Sequence, residues 1–350
     1  MRKLLLLGIL GAMLFVVLLL ILTGTLGRSR RHSEVLPRAE SVKRMGVGTV
    51  GEVGPDAIGI DPMMYLTTWN FNNFSNEERA QLYKETALPD GRTLREYWFH
   101  AVDREIEIAP GVMFPAWTYN GQVPGPTIRA TEGDRIRIHF ANLGTRPHTL
   151  HFHGFHPEDM DGAMPHQFVD PGETFLYEFD AEPYGLHLYH CHSTPLTQHI
   201  HRGLYGVYIV DRKSPREPAR ELVMLMNGFD TNFDEENEIY AVNSIAFYYM
   251  NHPIEVTLGE LVRIYLVNIL EFDQTNSFHV HAHFFHEYQT GTSPSPDGYT
   301  DTILLGQAER SILELEFRFT GDFMFHAHKT EFAERGWMGL FRVVEQAQGR

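Results

Sequence analysis

The chain has a single cysteine in 350 residues, so it forms no internal disulfide, and cysteine pairing cannot tell its redox compartment. It is also short of positive charge: 29 Lys and Arg face 45 Asp and Glu, a formal balance of −16. That balance sets the chain against nucleic acid as a partner, because a polyanion needs a basic footprint. It reads instead as an acidic, solvated surface. What is plentiful is histidine, 20 residues, most of them gathered in four short segments among apolar neighbours such as Leu150, Phe152, Phe278, Val280 and Phe325. A chain of this length suits two domains, each able to bury its own core.

Arg2 and Lys3 precede an apolar run, Leu4 to Leu26, broken only by small residues and threonines and about twenty residues long, enough to span a bilayer. A cleaved leader has a shorter apolar core and a small-x-small cleavage site. No clear Ala-x-Ala follows here, so residues 1–27 read as a retained anchor before a cleaved signal. Residues 28–94 read as a linker and extension. Gly46, Gly48, Gly51 and Gly54 mark a flexible stretch, and Ser75-Asn76-Glu77-Glu78 is a capping box that predicts a short helix to about Leu88, stopped by Pro89-Asp90-Gly91. From Tyr97 onward, β-branched and aromatic runs such as Arg135–Phe140 and Leu261–Leu266 alternate with turn residues. That spacing predicts all-β sandwiches or barrels.

The histidines fall in His-x-His pairs: His151/His153, His190/His192, His279/His281 and His326/His328. On a strand, residues i and i+2 share a face, roughly 7 Å apart, so each pair is a two-pronged imidazole clamp. In the triplet His190-Cys191-His192 the same alternation turns the sulfur to the opposite face. One strand can therefore serve a thiolate metal site on one side and an imidazole-bound cluster on the other. Such wiring suits electron transfer from a mononuclear copper to a polynuclear copper centre.

Two halves repeat each other. Gly133–Ile138 with Asn142 corresponds to Gly259–Ile264 with Asn268; the clamp at His151 matches that at His279; Asp161-Gly162 matches Asp297-Gly298; and the clamp at His190 matches that at His326. Their order is kept, and so is the spacing inside each clamp, so the chain holds two copies of one β domain, residues 95–214 and 215–350, divided at Lys213–Pro218. The copies differ where chemistry is concerned. Ala327 stands for Cys191 and Asn276 for His148, which removes the thiolate site from the second copy and spares every clamp.

Copper that changes oxidation state suits a trigonal site of two imidazoles and a thiolate with a weak axial ligand. Cys191 and His148 are candidates; His148 lies an odd number of residues from His151, towards the face that Cys191 uses. For the third ligand, His199 and His201 compete.

The segment Pro115–Pro126 (Pro-Ala-Trp-Thr-Tyr-Asn-Gly-Gln-Val-Pro-Gly-Pro), with His148-x-x-His151-x-His153-Gly154 and His190-Cys191-His192, resembles the multicopper oxidase superfamily, which includes laccases, ceruloplasmin and copper nitrite reductase. The resemblance covers residues 97 to 345 and is greatest to two-domain members carrying the type 1 copper in the first domain only. It implies two tandem cupredoxin-like Greek-key β-barrels. The family motif of His, three residues, Gly and the axial position selects His199 and places Leu204 axially, although the longer interval from Cys191 leaves His201 open. The resemblance further implies four coppers per chain. Beside the one type 1 copper, His151 and His279 hold one type 2 copper, while His153, His190, His192, His281, His326 and His328 hold two type 3 coppers.

His283 and His286 offer a rival pairing for the third clamp, His281/His283. His156 and His166, near Glu158–Asp161, read as loop residues or as a site for a metal substrate. Asp161 is the nominated proton donor for oxygen reduction, with a plain Asp-Gly turn as the alternative. The resemblance also implies a head-to-tail homotrimer, with the cluster at the subunit interface. Dioxygen and a small organic or metal-ion electron donor are the expected partners; no Met-rich tract and no clear iron site names the donor. A copper nitrite reductase or a non-enzymatic copper-binding or electron-transfer protein are the rival readings. Copper–oxygen chemistry with external reductants places the body outside the cytoplasm, in the cell envelope, although Arg28, Arg30 and Arg31 after the apolar run favour the opposite orientation.

Overall fold

The computed structural model describes residues 82–346. The apolar run Leu4–Leu26, and with it the expected membrane anchor, lies outside the described residues. Among the described residues no helix is long and apolar enough to cross a membrane.

The first domain runs through β1 (Tyr83–Ala87), β2 (Thr93–Ala109), β3 (Val112–Tyr119), β4 (Gly125–Thr131) and β5 (Arg135–Asn142). It continues through β6 (His151–Phe152), β7 (Thr174–Asp180), β8 (Gly185–His190), a helix α1 (Leu196–His201) and β9 (Tyr205–Asp211). Two sheets face each other, one ordered β1-β2-β5-β7 with β3 also on β2, the other β4-β9-β8-β6. Polar–apolar alternation on β5 shows the logic: Ile136, Ile138 and Phe140 are buried, while Arg135, Arg137 and His139 face outward.

The helix expected to reach Leu88 is corrected here, for Tyr83–Ala87 is a strand paired antiparallel to Thr93–Tyr97; residues 75–81 lie outside the described residues. An unpaired edge of β2 and the tight Pro89-Asp90-Gly91 turn override the local helical signal. The extension thereby contributes a strand to the first domain.

The second domain repeats the plan with β10 (Arg220–Phe229), β11 (Ile239–Val242), a helical turn α2 (Tyr248–Asn251), β12 (Ile254–Thr257), β13 (Leu261–Asn268) and β14 (Thr275–Val280). Then follow β15 (Phe285–Gln289), β16 (Gly298–Thr300), β17 (Thr302–Gly306), β18 (Arg310–Glu316), β19 (Gly321–His326), α3 (Thr330–Glu334) and β20 (Met338–Val344). Its sheets are ordered β11-β10-β13-β18-β15-β16 and β12-β20-β19-β14-β17. The fold is all-β, two cupredoxin-like domains in tandem.

Each domain has its own core, and a third apolar cluster joins Leu186, Leu188, Val207 and Ile209 of the first to Val223, Leu225, Tyr265 and Val267 of the second. This joint explains why β8 is buried on both faces. Tyr189 and Cys191 point into the first core, while Leu186 and Leu188 point to the seam between domains.

Candidate metal centres

His148, Cys191 and His199 meet in the first core, all three buried. His148 Nδ1 and His199 Nδ1 are 3.2 Å apart, and Cys191 Sγ lies 3.2 Å from the second and 3.9 Å from the first. A metal taking nitrogen at about 2.0 Å and sulfur at about 2.3 Å fits between donors at such separations. Two imidazole nitrogens and one thiolate make a soft, trigonal donor set, as copper that cycles prefers. Trp117 meets the two rings edge-on, with centroids 5.5 and 4.8 Å away, and the Arg202 guanidinium lies over the Trp117 ring, 4.9 Å from its centroid.

Local structure decides between the two competing histidines. α1 carries both, but His201 Nε2 accepts the backbone N–H of Asp230 at 2.9 Å and its ring sits among Phe114, Phe233 and Phe272. It is a core histidine with its hydrogen bond made. Gly203 follows in a left-handed turn (φ 111), where a Cβ would stand 2.5 Å from Val123 Cγ2. The turn leads to Leu204, fully buried in the same cluster as Cys191, whose carbonyl accepts the Cys191 N–H at 2.9 Å.

The clamps form two separate half-sites. In the first domain β6 and β8 pair with His151 opposite His190, and in the second β14 and β19 pair with His279 opposite His326. Residues in that register stand within about 5.5 Å at Cβ, so the two strands of each pair present their imidazoles together. His153 Nε2 and His190 Nε2 are 3.3 Å apart; His281 Nε2 and His326 Nε2 are 3.1 Å apart. His192 and His328 complete the groups, with centroids 5.2 and 5.3 Å from His151 and His279. β6 is only two residues long and His192 lies past the end of β8, so regular alternation alone does not set these rings. Hydroxyls do: Thr149 Oγ1 accepts the His192 N–H at 3.0 Å and Ser277 Oγ accepts the His328 N–H at 2.8 Å. Histidine spacing alone does not point to this hydroxyl pair, although both stand two residues before the first histidine of a clamp.

Four of the eight clamp rings, His151, His190, His279 and His326, have a partner for the other nitrogen, the support metal-binding imidazoles commonly have. His190 Nδ1 donates to the Cys191 carbonyl at 3.0 Å, and His326 Nδ1 to the Ala327 carbonyl at 2.7 Å. His151 Nδ1 donates to the Asp161 carbonyl at 3.0 Å, with Asp161 Oδ1 also 3.0 Å away. Gly162 makes this possible: it is left-handed (φ 66), and a Cβ there would stand 2.4 Å from the Leu150 carbonyl oxygen. In the second domain His279 Nδ1 turns to the Asp301 carbonyl and Thr302 Oγ1, both at 2.9 Å. Asp297, matched to Asp161 on spacing, instead accepts the Gln289 N–H, so the match at that position is corrected to Asp301. A longer β15–β16 hairpin displaces the Asp-Gly pair from the clamp.

The rival pairing through His283 is absent. Its Nε2 accepts the Arg318 N–H at 3.1 Å and its Nδ1 donates to the His281 carbonyl at 3.2 Å, which occupies both nitrogens. His286 packs in a tilted contact against exposed Tyr299, centroids 4.7 Å apart. His156 donates Nε2 to the Phe152 carbonyl at 2.9 Å, with Asp161 Oδ1 at 3.7 Å, and His166 joins no cluster of metal-binding groups among the described residues.

Two family models described as multicopper oxidase match residues 100–215 and 215–347, and a solved structure described as a multicopper oxidase is 51% identical, covering 85% of this chain and 100% of that one with a TM-score of 0.77. The chain belongs to the multicopper oxidase family. It is thus a copper-dependent oxidoreductase, and dioxygen as electron acceptor is consistent with its family. Among curated relatives, a probable nitrite reductase–hydroxylamine oxidoreductase fusion protein of Kuenenia stuttgartiensis is 30% identical over 69% of this chain. The chain spans only 30% of that protein's length. A copper-containing nitrite reductase of Neisseria meningitidis serogroup A is 27% identical over 69% of this chain and 67% of the relative.

In this multicopper oxidase, burial favours the neutral imidazole, the form that binds metal, at His148, His151, His153, His190, His199 and His281. Burial, joined by the neighbouring His190, pushes His153 down to about 3; burial takes His190 to about 4; burial and nearby Arg146 and Arg202 take His199 to about 4. Burial raises the Cys191 thiol, against donors at Ser193 and Thr149, so copper binding must displace its proton. His187 and His201 are also held near 4, chiefly by burial.

An acid transition follows. These five histidines titrate near 6.5 when exposed, and in the fold at 3 to 4. As pH falls below 6.5, the unfolded chain takes up protons that the fold refuses. The stability they contribute is present above that value and drains away towards pH 4, at up to about 1.4 kcal/mol per pH unit for each histidine. Thermal melts of metal-free protein should show Tm falling steeply over that interval. A flat Tm would remove burial as the cause.

Proposed function

We propose that this chain is a laccase-like or metal-oxidising oxidase, coupling one-electron oxidation of a small organic or metal-ion donor to four-electron reduction of dioxygen to water. Copper, when bound, supplies the one-electron cycling at a type 1 site and the oxygen-reducing centre at a trinuclear cluster, four ions per chain in all: one type 1, one type 2 and two type 3. The observation that carries this reading is the placement of Cys191. Its sulfur faces His148 and His199, while its backbone neighbours His190 and His192 belong to the half-site on the other face. An electron leaving the sulfur reaches those imidazoles along covalent bonds, with the His190 Nδ1 to Cys191 carbonyl hydrogen bond as a second path.

By this reading His148, Cys191 and His199 hold the type 1 ion. His151, His153, His190 and His192, with His279, His281, His326 and His328, hold the cluster. Leu204, which the family motif sets beside this site, carries no donor atom, so a copper held by His148, Cys191 and His199 would have a raised potential and would draw electrons from a weak reductant. Leu204→Met, a swap that costs under about 1.5 kcal/mol in a core, should lower the type 1 reduction potential; an unmoved potential would take Leu204 out of the axial place.

Among the described residues, no ring contact joins a first-domain clamp to a second-domain clamp. That supports a cluster completed between subunits, as in a head-to-tail homotrimer closed by three-fold symmetry. Asp161, partly exposed and touching His151, is the proposed proton relay. Asp161→Asn keeps a hydrogen-bond acceptor but cannot carry a proton. It should lower kcat roughly 100-fold at unchanged copper content, and a loss of copper instead would make Asp161 an orienting group. We place the protein outside the cytoplasm, held by its N-terminal segment.

The nitrite reductase reading draws on the Neisseria and Kuenenia relatives. Such an enzyme needs one type 2 site of three histidines, which leaves most clamp histidines without a role. Copper analysis and oxygen uptake decide. Four coppers per chain, with oxygen consumed on a phenol, aromatic amine, or ferrous or cuprous donor, are expected. One or two coppers with turnover only on nitrite would overturn the oxidase.

A further inference from the structure

A buried carboxylate faces the outer edge of one type 1 ring. His148 is fully buried and turns Nδ1 to Cys191 and His199, while its Nε2 has no partner. On β2, Asp103 is 5% exposed, and its Oδ1 has no partner either. The other Asp103 oxygen accepts from Thr145 Oγ1 at 2.5 Å, so that oxygen is committed and Oδ1 is free.

Gly144 brings the two loose ends to one place. A Cβ built on it would stand 3.1 Å from Asp103 Oδ1, 3.1 Å from His148 Nε2 and 3.3 Å from Asn142 Oδ1. Two atoms each at that distance from one point are separated by at most twice as much. They make no direct hydrogen bond, and a separation of at most about 6.2 Å is no more than one water can span with two bonds of about 3.1 Å. Gly144 is not in a left-handed conformation, so a turn does not require its glycine. The lack of a side chain is what keeps the two polar atoms in view of each other.

Chemistry supplies the reason for a bridge. An imidazole that gives Nδ1 to a metal must carry its proton on Nε2, and a buried N–H without an acceptor is costly. Carboxylates and waters commonly fill that role behind metal-bound histidines. Burial pushes the Asp103 carboxyl up, while Thr145, Arg202 and Arg146 pull it down.

We infer that Asp103 is a positioning residue of the type 1 site: through one water it accepts the His148 Nε2–H, fixes the ring with Nδ1 toward the metal, and lends negative charge that holds the reduction potential down. This rests on the oxidase reading above, in which His148 is a type 1 ligand.

The test is a redox titration of the visible thiolate–copper absorption in the copper-loaded full chain, comparing wild type with Asp103→Asn and Gly144→Ala. Asp103→Asn removes the charge, and Gly144→Ala fills the bridge while leaving Asp103 in place. Both should keep the absorption and shift the one-electron equilibrium about tenfold toward reduced copper, a rise of about 59 mV. A purely structural role would lower Tm or copper content without moving the potential of the copper that remains. Unmoved potentials in two blue variants overturn the inference alone; a wild type with no such absorption overturns the type 1 site itself. Should neither variant fold, nitrogen NMR of the His148 ring in the reduced wild type decides. A slowly exchanging Nε2–H supports the bridge, and one exchanging freely with solvent overturns it.

Discussion

Cys191→Ser should abolish the intense visible absorption of the copper-loaded protein and bring donor oxidation down to background, while most of the remaining copper stays bound. The sulfur is the only thiolate in the chain and lies 3.2 Å from His199 Nδ1 within a buried triad. A serine hydroxyl in that place is a hard, neutral donor at neutral pH, poorly matched to a site that must hold reduced copper. The clamps on the other face keep their own supports, the Asp161, Ala327 and Asp301 carbonyls and the Ser277 hydroxyl, none of which touches the sulfur, while Thr149, which also contacts Sγ, still accepts the His192 N–H. Copper analysis should therefore fall by about one ion per chain, the share of the type 1 site in this ligand set. Colour retained in the variant would refute Cys191 as the thiolate ligand. Loss of all copper would show that the two faces of the triplet are not independent.

The second large effect concerns where the cluster closes. His153→Ala damages only the first-domain half-site and His281→Ala only the second. Each variant alone should be inactive toward oxygen, since each removes an imidazole from a facing pair 3.3 or 3.1 Å apart. If the halves meet between neighbouring subunits of a closed ring, mixing the two inactive chains during assembly regenerates intact joints. One subunit brings an undamaged first half and its neighbour an undamaged second half. Random assembly gives about a quarter of joints intact, and activity should return to about that fraction of wild type. Within a single chain no combination restores a site, so zero recovery in well-mixed oligomers would place the cluster inside one chain or dissolve it.

The four clamps were legible because period two is a property of strands that any sequence shows, and because the second copy repeats the first in the same order, with the same spacing inside each clamp. The facing of His151 with His190, and of His279 with His326, was not, since register between distant strands depends on how the sheet closes. The choice of His199 over His201 rested on family spacing. What removes His201 in space is the Asp230 N–H, 29 residues away. Tyr83–Ala87 reads as helix in sequence but folds as strand because a capping box is a local signal, whereas the free edge of β2 is a tertiary one. Asp301 and Thr302 were missed because the hairpin before them differs in length from its counterpart in the first domain.

By itself the sequence determined residue chemistry and periodicity: two β domains, one thiolate flanked by imidazoles, eight clamp histidines, and the loss of the thiolate site from the second copy. These follow from side-chain identity and local geometry, which need no knowledge of what lies across the fold. The tertiary structure alone decided which rings face one another, which nitrogens are already taken by backbone groups, and that Asp103 and Gly144 stand behind His148. Most of these juxtapose segments tens of residues apart, which only the closed barrels bring together.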